Sequence, residues 1–418
     1  MKSEKVKKFF LSALLGLSAV YALAGGYSNQ ILDSHIKSLQ AVVNYNWTSL
    51  PVMRLGSDDV LNISFDELSH DYHRYVYEIT KCEADWEIAE DVFESDYLEG
   101  FSGNPIDDFE HSTNTIIPYT HYRLQIPNDK CRLKMSGNYV LDVIDENDGG
   151  TMLRVPFMVC EQSMKLSMSV SPNTDIDNRQ SHQQVWMAVN YGQLPVTHPE
   201  DQLYAVVMQN NQDFDIRTNV PANFNTNNGM EWNHCRDLIF DAGNEYHKFE
   251  VLDVSHPTMG VDRIHWDGEN YQVYLPENHP RTNYLYDEDA NGSFYIRNSD
   301  NIRNDTQSEY VWVNFRLDDP DMSGNPRVTG RWASDINLST YGMEPHLGYY
   351  QAPQHCYTAS ILLKQGYYNY QYRNADGKLH PTEGSFYQTE NRYQGLIYYK
   401  GTNDRTWRLT AFGDIAAE

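Results

Sequence analysis

Residues 60–65, Val-Leu-Asn-Ile-Ser-Phe, change from apolar to polar and back nearly one by one, and the same texture returns at 74–80, 121–126, 138–143, 184–189 and 310–315. Side chains along a strand point to opposite faces in turn. A period of two bounded by Gly, Pro, Asn and Asp therefore predicts half-buried antiparallel strands. Beyond the first two dozen residues no window keeps an apolar i, i+3, i+4 pattern for long, so no extended helix is expected. Many short strands with turn chemistry between them predict an all-β chain of tandem β-sandwiches, immunoglobulin-like or early-set in kind.

The texture breaks in three places. Residues 1–8 hold Lys2, Lys5, Lys7 and Lys8 against one acid, Glu4; an apolar run from Phe9 to Tyr21 follows and closes on Ala22-Leu23-Ala24. Basic head, short greasy middle and A-x-A exit are the parts of a secretory signal peptide, cleaved here after Ala24. A membrane anchor would need about 20 apolar residues, and the first Cys is Cys82, so no lipid anchor is expected. Polar stretches at 171–179 and 297–306 interrupt the strands further on. Together these features divide the chain into a signal peptide (1–24), an N-terminal sandwich (25–161), a middle β domain (162–304) and a C-terminal early-set sandwich (305–418).

Charge narrows the function classes. Losing residues 1–24 removes four Lys and one Glu from 32 basic and 58 acidic side chains, leaving 28 − 57 = −29. A field of that sign repels phosphate backbones and anionic lipid surfaces, which argues against nucleic-acid and peripheral membrane binding. No segment after the first could span a bilayer as a helix, so no direct membrane insertion is expected either. The mature chain is expected to be a soluble, extracytoplasmic monomer. Tyr outnumbers Phe by 31 to 15, which suits strands and half-wet binding surfaces. Five cysteines without a framework spacing are expected to be buried free thiols.

Catalytic motifs are missing: G-x-S-x-G, the phosphate-binding G-x-x-x-x-G-K-[ST], H-E-x-x-H and C-x-x-C do not occur. His70 and His73 have an H-x-x-H spacing, with no third ligand evident, and read as surface histidines. Asp107-Asp108 could serve a glycosidase, but such pairs arise by chance among 58 acids. Residues 287–292, Asp-Glu-Asp-Ala-Asn-Gly, begin like a calcium loop, yet position 12 is Asn298 rather than a bidentate Glu. Asn291-Gly292 between strand-like flanks at 283–286 and 293–296 favours a hairpin turn instead. No catalytic residue, metal ligand or cofactor site is expected.

Several strings carry a family resemblance. They are Cys82-Glu83-Ala84-Asp85-Trp86, residues 95–101, residues 108–115, Tyr119-Thr120-His121-Tyr122, residues 136–139, residues 242–246, residues 363–370 and Thr389-Glu390-Asn391. In this order and spacing the chain resembles the plug protein of the type IX secretion system, a Bacteroidota periplasmic family, from about residue 35 to the C-terminus. The resemblance implies a non-enzymatic β-rich plug whose partner is the outer-membrane translocon barrel, shut at its periplasmic mouth while no substrate is in transit. A second resemblance covers the last domain alone. Residues 328–332, 366–372 and Asp376-Gly377 look like the early-set sandwiches that include starch- and glycogen-binding modules. Trp332 would then be a vestigial glycan contact, but Lys378-Leu379 stand where the second stacking aromatic usually follows. Protein-binding plug is the leading reading; a glycan-binding protein acting through the C-terminal domain is the alternative, and a hydrolase the distant third.

Overall fold

The computed structural model describes residues 26–69, 73–174, 178–321, 326–333, 349–351 and 356–417; the expected signal peptide, like His70, lies outside the described residues. Each alternating segment is a strand, among them Leu61–Glu67, Tyr75–Cys82, Thr120–Ile126, Gly137–Asp145, His182–Asn190 and Tyr310–Asp318. The α-helices described, Glu94–Tyr97, Pro199–Gln202 and Asn304–Gln307, are single turns. The chain is a set of β-sandwiches.

The first sandwich packs a four-stranded sheet, ordered Ile36–Val43, Leu61–Glu67, Thr120–Ile126, Asp108–His111, against Tyr75–Cys82, Gly137–Asp145 and Thr151–Cys160. The apolar half of each alternation meets in between. Phe65 stacks on Tyr122 at 5.1 Å and meets the edge of Tyr75 at 5.8 Å, while Tyr139 stacks on Phe157 at 5.4 Å. A second core lies between the sheet holding Lys165–Ser171 and His182–Asn190 and the strands Leu203–Gln209, Arg392–Tyr399 and Arg408–Ala416. A third joins His247–Val251, Phe294–Ile296 and Gly366–Asn374 to the sheet of Tyr271–Tyr274, Tyr310–Asp318 and Cys356–Lys364. The polar stretch at 171–179 connects two paired strands of one sheet, and that at 297–306 connects the two sheets of the third core.

The first two sandwiches share a sheet. Thr151–Cys160 of the first meets Arg408–Ala416 of the second in parallel at Cys160 and Leu409, making one ten-stranded sheet. A fourth apolar cluster, with Tyr27, Trp86, Met158, Leu396 and Tyr398, covers the far face of that seam. The half-buried expectation fails here for that reason: with both faces covered, Gly137–Asp145 is buried at seven of its nine positions. Nor is every pairing antiparallel. Val52–Arg54 runs parallel to Met158–Cys160, and Tyr271–Tyr274 runs parallel to Tyr310–Asp318, a direction that alternation alone does not encode.

Tyrosine does more in the interior than its composition suggested. Tyr139 Oη donates to Met135 O at 2.7 Å and Tyr368 Oη to Lys364 O at 2.6 Å, each reaching back four residues. Tyr398 Oη donates to Asn138 at 2.8 Å across the first two sandwiches. A ring fills apolar volume while its hydroxyl satisfies a buried acceptor. All five cysteines are buried and free, as their spacing implied.

The second core depends on the end of the chain. Terminating the protein at Asn391 removes Tyr393, Ile397, Tyr399 and Ala411 from it. At about 1.5–3 kcal/mol for each large side chain, the loss is comparable to the typical domain stability of roughly 5–15 kcal/mol. Limited proteolysis read by mass spectrometry is expected to show cleavage throughout 164–240 in the truncated protein and protection there in the full chain.

Candidate functional site

The polar half of the first sandwich's alternation builds one face. Along Leu61–Glu67 the outward positions are Asn62, Ser64 and Asp66; along Thr120–Ile126 they are His121, Arg123 and Gln125. The register sets them opposite one another as Asn62/Gln125, Ser64/Arg123 and Asp66/His121. Gln125 Nε2 donates to Asn62 Oδ1 at 2.9 Å, and His121 Nδ1 lies 2.6 Å from Asp66 Oδ1.

At the Asp66 end the third core closes over this face. Lys364, the last residue of Cys356–Lys364, places Nζ 2.6 Å from Asp66 Oδ2 and donates to Asp305 O at 2.6 Å, with the Tyr119 ring centre 4.1 Å away. Tyr310 Oη donates to the same carboxylate at 2.7 Å and meets Ser38 Oγ at 2.7 Å. Ser38 reaches it because a register shift between Lys37 and Gln40 bulges the first strand, with Ser38 at φ +54°. Glu309 accepts from the backbone N–H of Ile116 at 2.5 Å and Ile117 at 3.2 Å, pinning a loop of the first sandwich to the third core. Asp66 is 0 % exposed and Lys364 1 %. Burial works against the Asp66 carboxylate, but Lys364 and His121 outweigh it and hold its pKa below the ordinary value. Burial pulls the Lys364 ammonium down, with Asp66 opposing.

At the Asn62 end the face stays open. It floors a groove of about 870 Å³ whose other wall comes from Tyr295, Ile296 and residues 303–305. Gln40 Nε2 donates to Phe294 O at 3.2 Å and ties the walls together. Most of the charged lining is paired within itself, Lys130 with Asp107 at 2.9 Å and Arg123 with Asp108 at 3.1 Å and with Asp305 at 3.7 Å, while Arg303 and Asp129 complete it. Aromatic rings line one end. Trp47 packs on Tyr295 at 5.6 Å and Tyr367 at 6.1 Å. Its loop is clamped by Arg331, which donates to Trp47 O and Ser49 O, and by Asn211, which donates to Thr48 O. Tyr45 is 72 % exposed and sits at φ +61° after Asn44 at φ +52°, in a turn closed by Asn46 N–H to Val43 O at 2.9 Å. A bulky side chain in the left-handed region costs about 1–3 kcal/mol and tends to mark functional positions. Arg303 on the opposite wall is also left-handed, at φ +48°.

The residues singled out from sequence lie elsewhere or have other tasks. Trp332 is 8 % exposed, donates its indole N–H to Asn369 O at 2.7 Å and stacks 6.3 Å from Phe315 in the third core. A Cβ on Gly330 would come within 2.2 Å of that indole nitrogen, so the chain approaches it as only glycine allows. His73 bonds Asp145 at 2.6 Å and Ser69 at 3.0 Å; His70 is not among the described residues. Asp107 and Asp108 hold Lys130 and Arg123 at the groove's rim.

In the calcium-like segment, Asn291 and Gly292 both have positive φ in a turn closed by Ser293 N–H to Ala290 O, as the Asn-Gly pair predicts. The expected hairpin does not form: Phe294–Ile296 is a strand and 283–286 is not. Side chains anchor that flank instead, Tyr284 Oη to Glu245 at 2.7 Å and Arg281 to Glu245 O at 2.6 Å. Asp287 pairs with Lys248 at 2.5 Å, and Asp289 accepts from the N–H groups of Tyr246 and Asn291. Among the described residues the cluster with ligand spacing is Glu277, His279 and Asp318, where Glu277 pairs with Arg316 and His279 with Asp318. Asp66, Lys364, Tyr45, Trp47 and Tyr295 were not singled out; the polar positions of adjacent alternating strands were the available signal.

Removing one partner of a buried ion pair leaves the other uncompensated, at roughly 3–5 kcal/mol. Lys364→Met is expected to cost that much by urea denaturation, and Asp66→Asn with Lys364→Met together less than the sum of the singles. An Asp with a depressed folded pKa adds stability that is present above its unfolded value, near 3.9, and lost as pH falls through the lower folded one. The gap between the parent and the double variant is therefore expected to narrow below about pH 4. Calcium at millimolar concentration is expected to leave the melting temperature unchanged; a rise that Asp287→Ala with Asp289→Ala abolishes would overturn the turn assignment.

A family model described as the type 9 secretion system plug protein first domain matches residues 36–161. The chain is also similar to a hypothetical protein from Parabacteroides merdae ATCC 43184 known from a crystal structure, with 34 % identity, 93 % of this chain and 99 % of that one covered, and a TM-score of 0.87. The C-terminal domains of the AgI/II polypeptide BspA of Streptococcus agalactiae and of the antigen I/II-family protein AspA of Streptococcus pyogenes match at 8 % identity and a TM-score of 0.15. They cover 94 % and 93 % of this chain and 97 % and 98 % of their own, and a likeness that low carries no argument. No curated protein matches.

Proposed function

The chain belongs to the type 9 secretion system plug family, and from that premise we propose that it is a periplasmic plug which binds the outer-membrane translocon barrel and closes its periplasmic mouth when no substrate is in transit. The observation that carries this reading is the family match over 36–161, which takes in every strand of the first sandwich's four-stranded sheet and the polar face built on it. Export by residues 1–24 belongs to the same proposal. It is compatible with the lack, among the described residues, of any helix long and apolar enough to cross a membrane. The protein acts by binding rather than by catalysis.

A gate that must open is poorly served by a large dry interface, which releases slowly. The expected contact is wet and polar, with Tyr and Trp anchors, and meets a less acidic rim on the barrel. Its affinity falls with salt, because rim charges are screened over about 8 Å at physiological ionic strength.

The test is purification of the tagged barrel from cells with and without this gene, followed by single-channel conductance. Barrels lacking the protein are expected to conduct, and adding it to the periplasmic side to close them. Its N-terminus by mass spectrometry is expected at Gly25. If it never co-purifies and conductance is unchanged by its presence, the plug reading fails.

A further inference from the structure

We propose that the groove beside Tyr45 is a binding site for a neutral oligosaccharide, a role separate from closure of the barrel. Three observations point to that ligand class.

The first is charge. Lys130 and Arg123 are matched by Asp107, Asp108 and Asp305 within the lining itself. With Arg303 and Asp129 the lining holds three bases against four acids, an excess of one acid that repels a phosphate or an anionic lipid and is too small to select a basic peptide.

The second is the floor. It is the face of a sheet whose central backbones are already laddered to their neighbours on both sides. An extended polypeptide recognised by strand addition needs a free sheet edge, and the floor offers side chains only. Besides Arg123 and His121, which meet acids, those are amides and a hydroxyl: Asn62 and Gln125 hold one another, leaving the Gln125 carbonyl oxygen and the Ser64 hydroxyl without a partner among the described residues. Groups of this kind pair with the hydroxyls of a sugar, each of which both donates and accepts.

The third is the aromatic end. Tyr45 is 72 % exposed and Tyr295 39 %, with Trp47 packed against Tyr295. An aromatic face carries negative potential and accepts the weakly positive C–H face of a pyranose. Tyr45 is also held in a left-handed turn position that favours Asn or Gly, and no ring partner among the described residues accounts for it there. The volume, about 870 Å³, lies within the usual range for small-ligand sites.

The experiment is calorimetric titration of the full mature chain with neutral hexasaccharides of glucose, xylose, mannose and N-acetylglucosamine, at about 0.1 and about 0.5 M NaCl. At least one is expected to bind with an affinity independent of salt. Tyr45→Ala with Tyr295→Ala is expected to weaken it by roughly ten-fold or more, a loss of about 1.4 kcal/mol or more. Gln125→Ala is expected to weaken it as well, and the melting temperature of each variant to stay within a few degrees of the parent. No binding by any of the four sugars, or binding that the tyrosine variant retains, overturns the proposal. The same variant is carried through barrel co-purification. Loss of the barrel together with no sugar binding assigns the groove to the protein partner and overturns the glycan site while leaving the plug reading standing. Sugar binding without barrel association supports the site and counts against the plug.

Discussion

A charged pair taken out of water constrains its surroundings more than any apolar contact does. Asp66 and Lys364 lie on strands of different sandwiches, both essentially inaccessible, and neither is tolerable there alone. Each therefore fixes the position of the other, and Tyr310, His121 and the Asp305 carbonyl complete the set of partners. Apolar faces slide at small cost, whereas a carboxylate needing three donors within hydrogen-bond reach accepts one arrangement. The pair thus sets how the third core sits on the first sandwich's outer face. The groove is what remains of that face beyond the docked end.

The same logic recurs at the other seam. Lys81 is buried between the first and second cores, its Nζ donating to Cys82 O at 2.9 Å and Trp407 O at 3.3 Å, and burial pulls its pKa down to about 8. In the third core Glu383 meets Arg281 and His247, which hold its pKa at about 2 against burial. Asn391 bonds Gln183 and the Ala242 carbonyl, and Asn210 bonds Asn391 in turn. A buried apolar face fixes strand register within a sheet, but not how one sandwich sits on another. Buried polar groups that must find particular partners fix that, so these β-sandwiches are held in one relative arrangement by polar seams.

Much of the strand content was legible because alternation is a local signal. What alternation does not carry is the partner. Nothing in residues 392–416 says that they pair with Leu203–Gln209, far upstream, and close the second core. Asp66, following Phe65 in a polar position, reads as solvated, as does Lys364 after Leu362 and Leu363; only the pairing of distant strands buries them. The strings on which the family resemblance rests contain Tyr119, His121 and Lys364, which meet at this seam. The Asn291-Gly292 turn was legible from local backbone preference, and its hairpin was misread because Tyr284 and Arg281 tether the flank through side chains. Tyr45 and Tyr295 carry no local signature at all, since an exposed aromatic on a turn and one on a short strand share a surface only after folding.

If the chain closes the barrel as proposed, these seams bear on how it would be released. Carrying a two-state equilibrium from 1:99 to 99:1 takes about 5.5 kcal/mol of differential binding. Opening the first sandwich away from the third core would expose the Asp66–Lys364 pair, the Glu309 contacts and the Gln40 tie together, each linking the same two bodies. Because these contacts form one closed set, a partner gains little by loosening any one of them. A wet rim contact on the outer surface is weaker and divides into independent parts, and each part responds to local charge. The cheaper route to an open pore is therefore departure of an internally rigid body. On the proposed plug reading, the signal for release would then act on the surface shared with the barrel, and the polar seams inside would keep that surface in one shape.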